Sequence, residues 1–545
     1  MTDTKASTKG LARHGAVMAA GSLVSRITGF GRTLVISAAL GSTMLGNSYT
    51  TAQYFPQMLY ELVLGGILTS VLIPLIVRAR TDDADGGEAF THRLLTLCVL
   101  LLGAATVCLV AAAPLLTRLA TSKNHELVTN LSYFMLPAVF FYGLCALLQA
   151  VLNTREHFAA PMWAPILNNV VVIGVGVLFY VLYTSRPDAD AITSGDALTT
   201  PMILLLGLGT MAGILTQSLA LWPSVRKVGF RWRWRFDFAA LKLGEIGRLG
   251  GWIIFYVALN TGSLMVLVKV ANIAFANRTE GVATPGALNY NNAYLVMMMA
   301  HGIVAVSIIT ALMPRLSKAA AEGRLGDVAQ NLSAGTRLST VVLVPIAVAY
   351  VILGTHLSVL LFNWGQFDLD NAKATGLILA MAGLSLIPFA VSQLQIFAFY
   401  AMTDGKTVAL INIPVALVRV GVSLGSLALL APEHVVAGLM VGNGLSYLVS
   451  IGLSTVFLRK KIGPLGMKAI ASTWVRQAIA GGVALLATWG VLGVLPGAFD
   501  SKGMLIGVMA ISGAVLVAVY FAAAYVLRVS EITEMTRLVR AKFGR

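Results

Sequence analysis

Charge is scarce in this chain, and negative charge especially so: 545 residues carry 23 Asp and Glu against 39 Lys and Arg, together 11% of the sequence, while 57% is hydrophobic. A soluble domain covers its surface with roughly twice that share of charged residues, which excludes an ordinary soluble fold. Cysteine is nearly absent. Cys98, Cys108 and Cys145 fall inside apolar runs at spacings that match no metal-ligand pattern, which excludes a disulfide framework and a zinc module and leaves them as packing residues. Clustered acids are also few. The run Asp82, Asp83, Asp85 and Glu88 surrounds Gly86-Gly87 with no His or Cys at metal-binding distance, so it reads as a solvated loop, not as the catalytic centre that a lipid-modifying enzyme needs. His157 and His301 stand alone and read as structural.

What the chain has instead is long apolar runs. Fourteen stretches of about 20 residues or more, from 16–40 to 504–527, are each long enough to cross a hydrocarbon core of about 30 Å. The predicted fold class is an all-α integral membrane protein with 14 transmembrane helices. With the N-terminus and every second loop on one side, that side holds 29 of the Lys and Arg, the other holds 6, and 4 lie within spans. The positive-inside rule then places both termini of this multi-pass membrane protein in the cytoplasm. The net charge of +16 is thereby topological, and no nucleic-acid partner is expected, even for the alternating FRWRWRF at 230–236. That stretch reads as an anchor on an anionic lipid surface. The basic start of the chain runs into a full-length span, so it reads as a retained first helix rather than a cleaved signal.

The second span ends TSVLIPLIVRA and the eighth ends ITALMPRLSKA, with Ser70 and Pro74 matching Thr310 and Pro314. Thr154 and Pro165 match Thr403 and Pro414 in the same way. Parallel repeats of this kind are common in transporters and imply a pseudo-twofold along the membrane normal. The expected organisation is an N-lobe over 1–223, a basic cytoplasmic linker over 224–249, a C-lobe over 250–457, two further helices within 458–527, and a cytoplasmic amphipathic tail over 528–545.

Five ionisable residues sit at membrane depth: Arg26, Arg32, Glu61, Lys269 and Arg419. Each costs about 2.5–3.5 kcal/mol at a helix centre, so each needs a reason. Arg26 and Arg32 point about 120° apart on a helix and rise about 9 Å. Ser22, Arg26, Gly29 and Thr33 share one face, and Ser25, Thr28 and Arg32 another. A polar sector that wide fits a water-filled cavity better than a single salt bridge. Lys269 shares a face with Gly262 and Asn272 in the seventh span, so a central cavity would draw cations from both lobes. Glu61 follows Gln57 and precedes Gly65 on one stripe, facing either a partner helix or the cavity, and Arg419 suits a structural role. A cationic cavity wants an anion, and arginine grips phosphate with a planar fork of donors. Diphosphate is the obvious membrane-associated candidate.

The segments SRITGFGR, PQMLYELVLGGILTSVLIPLIVRA, LNTREHFAAPMWAPILNN, LMPRLSKAAAEG, LFNWGQFD and FAFYAMTDGKT resemble, in order, the MurJ/MviN family of bacterial lipid II flippases. That family belongs to the superfamily that includes multidrug and polysaccharide exporters. The resemblance implies a two-lobe transporter, not an enzyme, that moves undecaprenyl-diphosphate-linked peptidoglycan precursor outward by alternating access. It implies a place in the bacterial inner membrane, substrate-binding residues at Arg26 and Arg32, and a lipid-tail groove at helices 13 and 14; the helix faces and buried charges add Ser25, Thr28, Glu61 and Lys269 to that site. It implies lipid II and membrane lipids as partners, with the cell-wall synthesis machinery beside them. No cofactor is expected, and coupling to the membrane potential or a monovalent cation fits the pattern. The chain departs from the family where an acid is usual and Thr33 or Asn47 stands, at Pro56-Gln57 and Gly65, and at Tyr294-Leu295, where an Asp-Arg pair is frequent. Lys269 is expected to supply the missing cation. A polysaccharide-lipid flippase and a multidrug antiporter are the competing readings; the second needs carboxylates at depth, of which Glu61 is the one candidate.

Overall fold

The computed structural model describes residues 2–62, 76, 79, 85–187, 189–241, 243–495 and 497–532; the side chains of 2–16, 18, 19, 59, 61, 62, 240, 243–250 and 253 lie outside that description. Every regular element of at least five residues among them is helical: α1 (Thr2–Leu40), α2 (Met44–Leu62), α3 (Glu88–Ala111), α4 (Ala113–Ala120), α5 (His125–Met135), α6 (Ala138–Thr154), α7 (Ala159–Phe179), α8 (Ala189–Thr193), α9 (Thr200–Lys227), α10 (Leu243–Ala276), α11 (Ala287–Ala321), α12 (Leu325–Phe362), α13 (Leu369–Ala401), α14 (Gly405–Leu429), α15 (Pro432–Ile462), α16 (Met467–Val494) and α17 (Lys502–Val526). Thirteen candidate membrane spans occur among the described residues. The remaining expected span, 53–77, begins in α2 and continues into residues outside the description, as do Ser70 and Pro74 of the first repeat pair.

Several helices outrun their apolar stretch. α12 has 38 residues, about 57 Å of helix, whereas its hydropathy marks only 338–362. The added turns hold Asp327 and Arg337 but bury Val328, Leu332 and Thr336, so packing carries the helix beyond the lipid. Of the second repeat pair, Pro165 and Pro414 both lie inside helices, α7 and α14.

The chain packs as two compact units, Met1–Asn272 with Trp364–Phe367, and Ile273–Asn363 with Asp368–Arg545. The first unit thus includes most of α10, one helix beyond the sequence-derived N-lobe. Its helices approach through small residues, the usual device where lipid removes any hydrophobic drive between helices. On α1, a Cβ at Gly21 would lie 2.7 Å from Trp163 Nε1 of α7; on α7, one at Gly176 would lie 2.9 Å from Val35. Thr184, in the π-helical turn Tyr180–Thr184 that prolongs α7, donates from its hydroxyl to Ala39 O at 3.0 Å. The short segment 364–367 closes the end of α1: Gln366 N donates to Ala38 O at 2.8 Å, and its side chain donates to Thr184 O at 2.7 Å. Two glycines permit that closure. Gly41 has φ 67° and Gly365 φ 58°, and a Cβ at either would fall 2.4 Å from a backbone oxygen.

In the second unit α12 and α13 pack almost backbone to backbone, with a Cβ at Gly376 only 2.4 Å from Thr355 Cα. α16 and α17 join α12 through a core of Val341, Val344, Ala480, Ala484, Leu516 and Tyr520. The tail begins in this core. Val529 is fully buried and Ile532 nearly so, while Glu531 pairs with Arg337 at 2.9 Å, so the apolar face of the amphipathic tail packs into protein at these residues. The rest of the tail, 533–545, lies outside the described residues.

Candidate functional site

The first unit holds three of the intramembrane cations, two on α1 and one on α10. Arg26 is exposed on α1, beside exposed Leu23 and Ile27; Arg32, nearly two turns on, is half-buried. Neither makes an ion pair or side-chain hydrogen bond with a described residue. Arg32 lies close enough to the phenol oxygens of Tyr49 on α2 and Tyr142 on α6 to act on both electrostatically. Thr210 of α9 donates to Leu206 O at 2.7 Å, which leaves Tyr49 to donate to the Thr210 hydroxyl, also at 2.7 Å. The Tyr142 ring packs against Tyr60 at 4.7 Å between centroids. Two phenols thus lie within electrostatic range of the guanidinium.

Ser25 and Thr28 are engaged elsewhere. Asn169 of α7 donates from Nδ2 to Ser25 O at 3.1 Å and to Thr28 Oγ1 at 3.0 Å, while the Thr28 hydroxyl donates to Val24 O at 2.9 Å. The amide packs over Gly29, where a Cβ would meet it at 3.4 Å, an ordinary van der Waals contact. These groups fix the rotation of α1 on α7, and so the directions of both arginines. The sequence carried a signal for this partner: Asn168-Asn169 is a pair of amides inside an apolar span.

Lys269 is half-buried on α10, also without a described ion-pair partner. One turn on, Asn272 donates from Nδ2 to Thr51 Oγ1 of α2 at 3.0 Å and to Ala120 O at the end of α4 at 3.0 Å. Lys269 accordingly packs with the unit that carries Arg26 and Arg32, not with the second unit as a two-lobe division of the cations had it. Tyr49 and Thr51 lie on opposite flanks of α2, so the Arg32 charge acts on one flank while Asn272 bonds the other. Glu61 lies on α2, but its side chain is outside the described residues.

Arg419 belongs to the second unit. Its guanidinium carbon sits 5.5 Å from the Tyr447 ring centroid, a cation–π distance. That ring packs on Phe389 at 4.9 Å, and Phe389 on the buried ring of His301 at 4.5 Å. Asn443 donates to the Tyr290 hydroxyl at 2.8 Å beside them. Arg419 has an aromatic and polar neighbourhood that sequence reasoning could not assemble, because its members come from four helices. A separate apolar groove of about 320 Å³ lies among α12, α13 and α16, lined by Val344, Val348, Ile387, Gly481 and Leu485.

Arg26, Arg32 and Lys269 have no carboxylate partner among the described residues, and a helical membrane protein that carries such cations in its spans is, in class, a transporter. The sequence profile of a family described as "Lipid II flippase MurJ" matches residues 36–519, and the chain belongs to that family. Among its relatives, the probable lipid II flippase MurJ of Rhizobium tropici is 27% identical over 393 residues, covering 71% of this chain and 70% of that one. The lipid II flippase MurJ of Burkholderia cenocepacia is 25% identical over 73% of this chain and 74% of its own. A probable lipid II flippase MurJ from Bdellovibrio bacteriovorus, 23% identical, spans 96% and 95%. Among solved structures, a lipid II flippase MurJ in an inward closed conformation superposes with TM-score 0.73 at 16% identity, over 94% of this chain and 99% of its own. An inward-facing multidrug resistance MATE family transporter superposes with TM-score 0.59 at 14% identity, over 79% and 94%. The fold is shared with both of these transporters, and the family is one of transporters, not enzymes.

Proposed function

We propose that this protein moves lipid II, the undecaprenyl-diphosphate-linked peptidoglycan precursor, from the cytoplasmic to the outer leaflet, and that Arg26, Arg32 and Lys269 receive its diphosphate. The observation that carries the reading is the set of three intramembrane cations with no described carboxylate beside them, in a chain of this family. An unpaired cation at this depth is costly, and a diphosphate is the anion that offsets it while its lipid tail stays in the bilayer. Ser25 and Thr28 act through Asn169 by holding α1 in register, and Glu61 stands on the adjoining helix as a candidate counter-charge. The groove of α12, α13 and α16 offers an apolar path for the polyprenyl tail.

Transport requires the diphosphate site to open to the two faces alternately, and the substrate to bind the two states with different affinity. Both termini are cytoplasmic on the basic-loop count. An inside-negative potential then favours outward movement of the anionic headgroup and return of the empty cationic site, at about 2.3 kcal/mol per charge per 100 mV. No cofactor is required. The cell-wall synthesis machinery is the natural recipient of the product.

The test is binding and translocation of lipid II by the purified protein in liposomes, beside Arg26→Ala and Arg32→Ala, with a peptide-free undecaprenyl-diphosphate glycan as competitor. Loss in both variants with poor competition supports the assignment. Efficient competition by the glycan moves the protein to a general polysaccharide-lipid exporter, and full transport in both variants makes the arginines structural.

A further inference from the structure

Outside the transport site, the segment that follows α9 builds a second basic structure. Residues 230–238 run beside α3, where Arg233 N donates to His92 Nδ1 at 3.3 Å and Arg235 N to Thr96 Oγ1 at 3.2 Å. Arg93 holds Asp237, Nε to Oδ2 at 2.7 Å. With the backbone extended, alternate side chains stand on one side. Trp232, Trp234, Phe236 and Phe238 form a ladder with successive centroid separations of 4.9, 6.3 and 6.2 Å. Its middle rungs, Trp234 and Phe236, are more than half exposed.

Between this segment and the last turns of α9 is a cavity of about 430 Å³, walled by Trp222, Arg226, Arg231, Trp232, Phe230 and Leu148. The arginines around it divide into two kinds. Arg155 is committed to the fold: it donates to Val228 O at 2.6 Å, lies 3.7 Å from Glu88 and covers the Phe230 ring at 5.2 Å. Arg93 is committed to Asp237. Arg226 and Arg231 line the cavity with no ion-pair partner among the described residues, Arg226 resting 5.9 Å from the Trp222 ring centroid. The candidate span of α9 ends at Lys227, which sets the cavity at headgroup level, where tryptophan concentrates.

We propose that this cavity binds the phosphodiester headgroup of an anionic phospholipid, in the leaflet on the protein's basic side, which is the cytoplasmic leaflet on the topology proposed above. Arg226 and Arg231 clasp the phosphate, and Trp222 and Trp232 cover the glycerol and upper acyl carbons. The exposed ladder of Trp234 and Phe236 lies against the same leaflet, which favours a lipid over free phosphate. The segment joining the sixth and seventh spans is thereby fastened to α9 by a lipid.

The full-length protein is placed in phosphatidylcholine nanodiscs doped with brominated phosphatidylglycerol or, in parallel, brominated phosphatidylcholine, and tryptophan quenching is measured. The contribution of Trp222 and Trp232 is isolated by comparison with Trp222→Phe/Trp232→Phe. A basic residue at an anionic surface strengthens partition about fivefold, so two give roughly 25-fold. That component is expected to half-saturate at roughly 25-fold lower phosphatidylglycerol than phosphatidylcholine. The preference should vanish in Arg226→Gln/Arg231→Gln and persist in Arg118→Gln. Equal saturation by the two lipids in the unmodified protein overturns the proposal without recourse to any variant, as does a preference that survives the double substitution. Displacement of the lipid by millimolar inorganic phosphate reassigns the cavity to a soluble anion and overturns the lipid assignment.

Discussion

Replacing Arg32 by Gln should weaken substrate binding without weakening the fold, and this pairing separates a transport cation from a structural one. The side chain is half-buried among Tyr49, Tyr142 and the α7 face of α1, with no described carboxylate to lose a partner when it goes. Hydrogen bonds to a charged group are worth about 1.5–3 kcal/mol each, so loss of one from guanidinium to diphosphate corresponds to roughly 10- to 150-fold in affinity. On the stability side, the substitution removes a cation whose insertion costs about 2.5–3.5 kcal/mol at a helix centre, and the phenols recover only part of that. The thermal midpoint in detergent should hold or rise. Lipid II affinity, read by native mass spectrometry or by a fluorescent analogue in nanodiscs, should fall by at least tenfold, and Arg32→Lys should recover the charge but not the fork of donors. A variant that melts earlier and binds lipid II normally would refute the reasoning, because that is what removal of a packed structural arginine does.

Asn272→Ala deletes both bonds that tie α10 to α2 and α4; intramembrane polar contacts of this kind average about 0.6 kcal/mol and reach about 1.7. A modest fall in melting temperature should accompany loss of transport although Lys269 remains, and Lys269→Ala should lose transport with its stability retained. Gly376→Val puts side-chain atoms into the Thr355 backbone, which cannot yield, so folded protein recovered by size exclusion should collapse, while Gly421→Ala, facing open space, should be neutral. The hydrogen bond from Arg93 holds the Asp237 carboxyl below its ordinary range. A depressed carboxylate stabilises above its unfolded pKa and loses that contribution only as pH falls through the lower folded value, so the attachment of the aromatic ladder should persist past the ordinary Asp range near 3.9. Tryptophan emission should show Asp237→Asn detached already at neutral pH. Collapse of the membrane potential with valinomycin and potassium should slow translocation, and an unchanged rate would remove the electrophoretic account.

The parts of this protein that sequence makes legible are those governed by lipid. Apolar length marks the spans, because water and hydrocarbon impose that rule locally on each stretch of chain. Arg26 and Arg32 stand out by the same logic, as a cost that demands a reason. What periodicity could not supply was which groups answer that cost. The face shared by Ser25, Thr28 and Arg32 is real, but a helical wheel does not say what opposes it, and on α1 it is opposed by Asn169 from 144 residues away. The Thr28 hydroxyl and the Ser25 carbonyl are thus taken up in orienting the helix that carries Arg32. Lys269 shows the same limit in another form. Counting spans assigns it to the second half of a repeat, whereas Asn272, one turn further, pins that stretch of α10 to α2 with paired bonds to Thr51. Around Arg32 and Lys269 the described contacts that hold the helices are amide bonds, from Asn169 to α1 and from Asn272 to α2, with no described carboxylate among them. Such bonds fix where a positive charge is without neutralising it, which is the condition an anion-binding site inside a membrane has to meet.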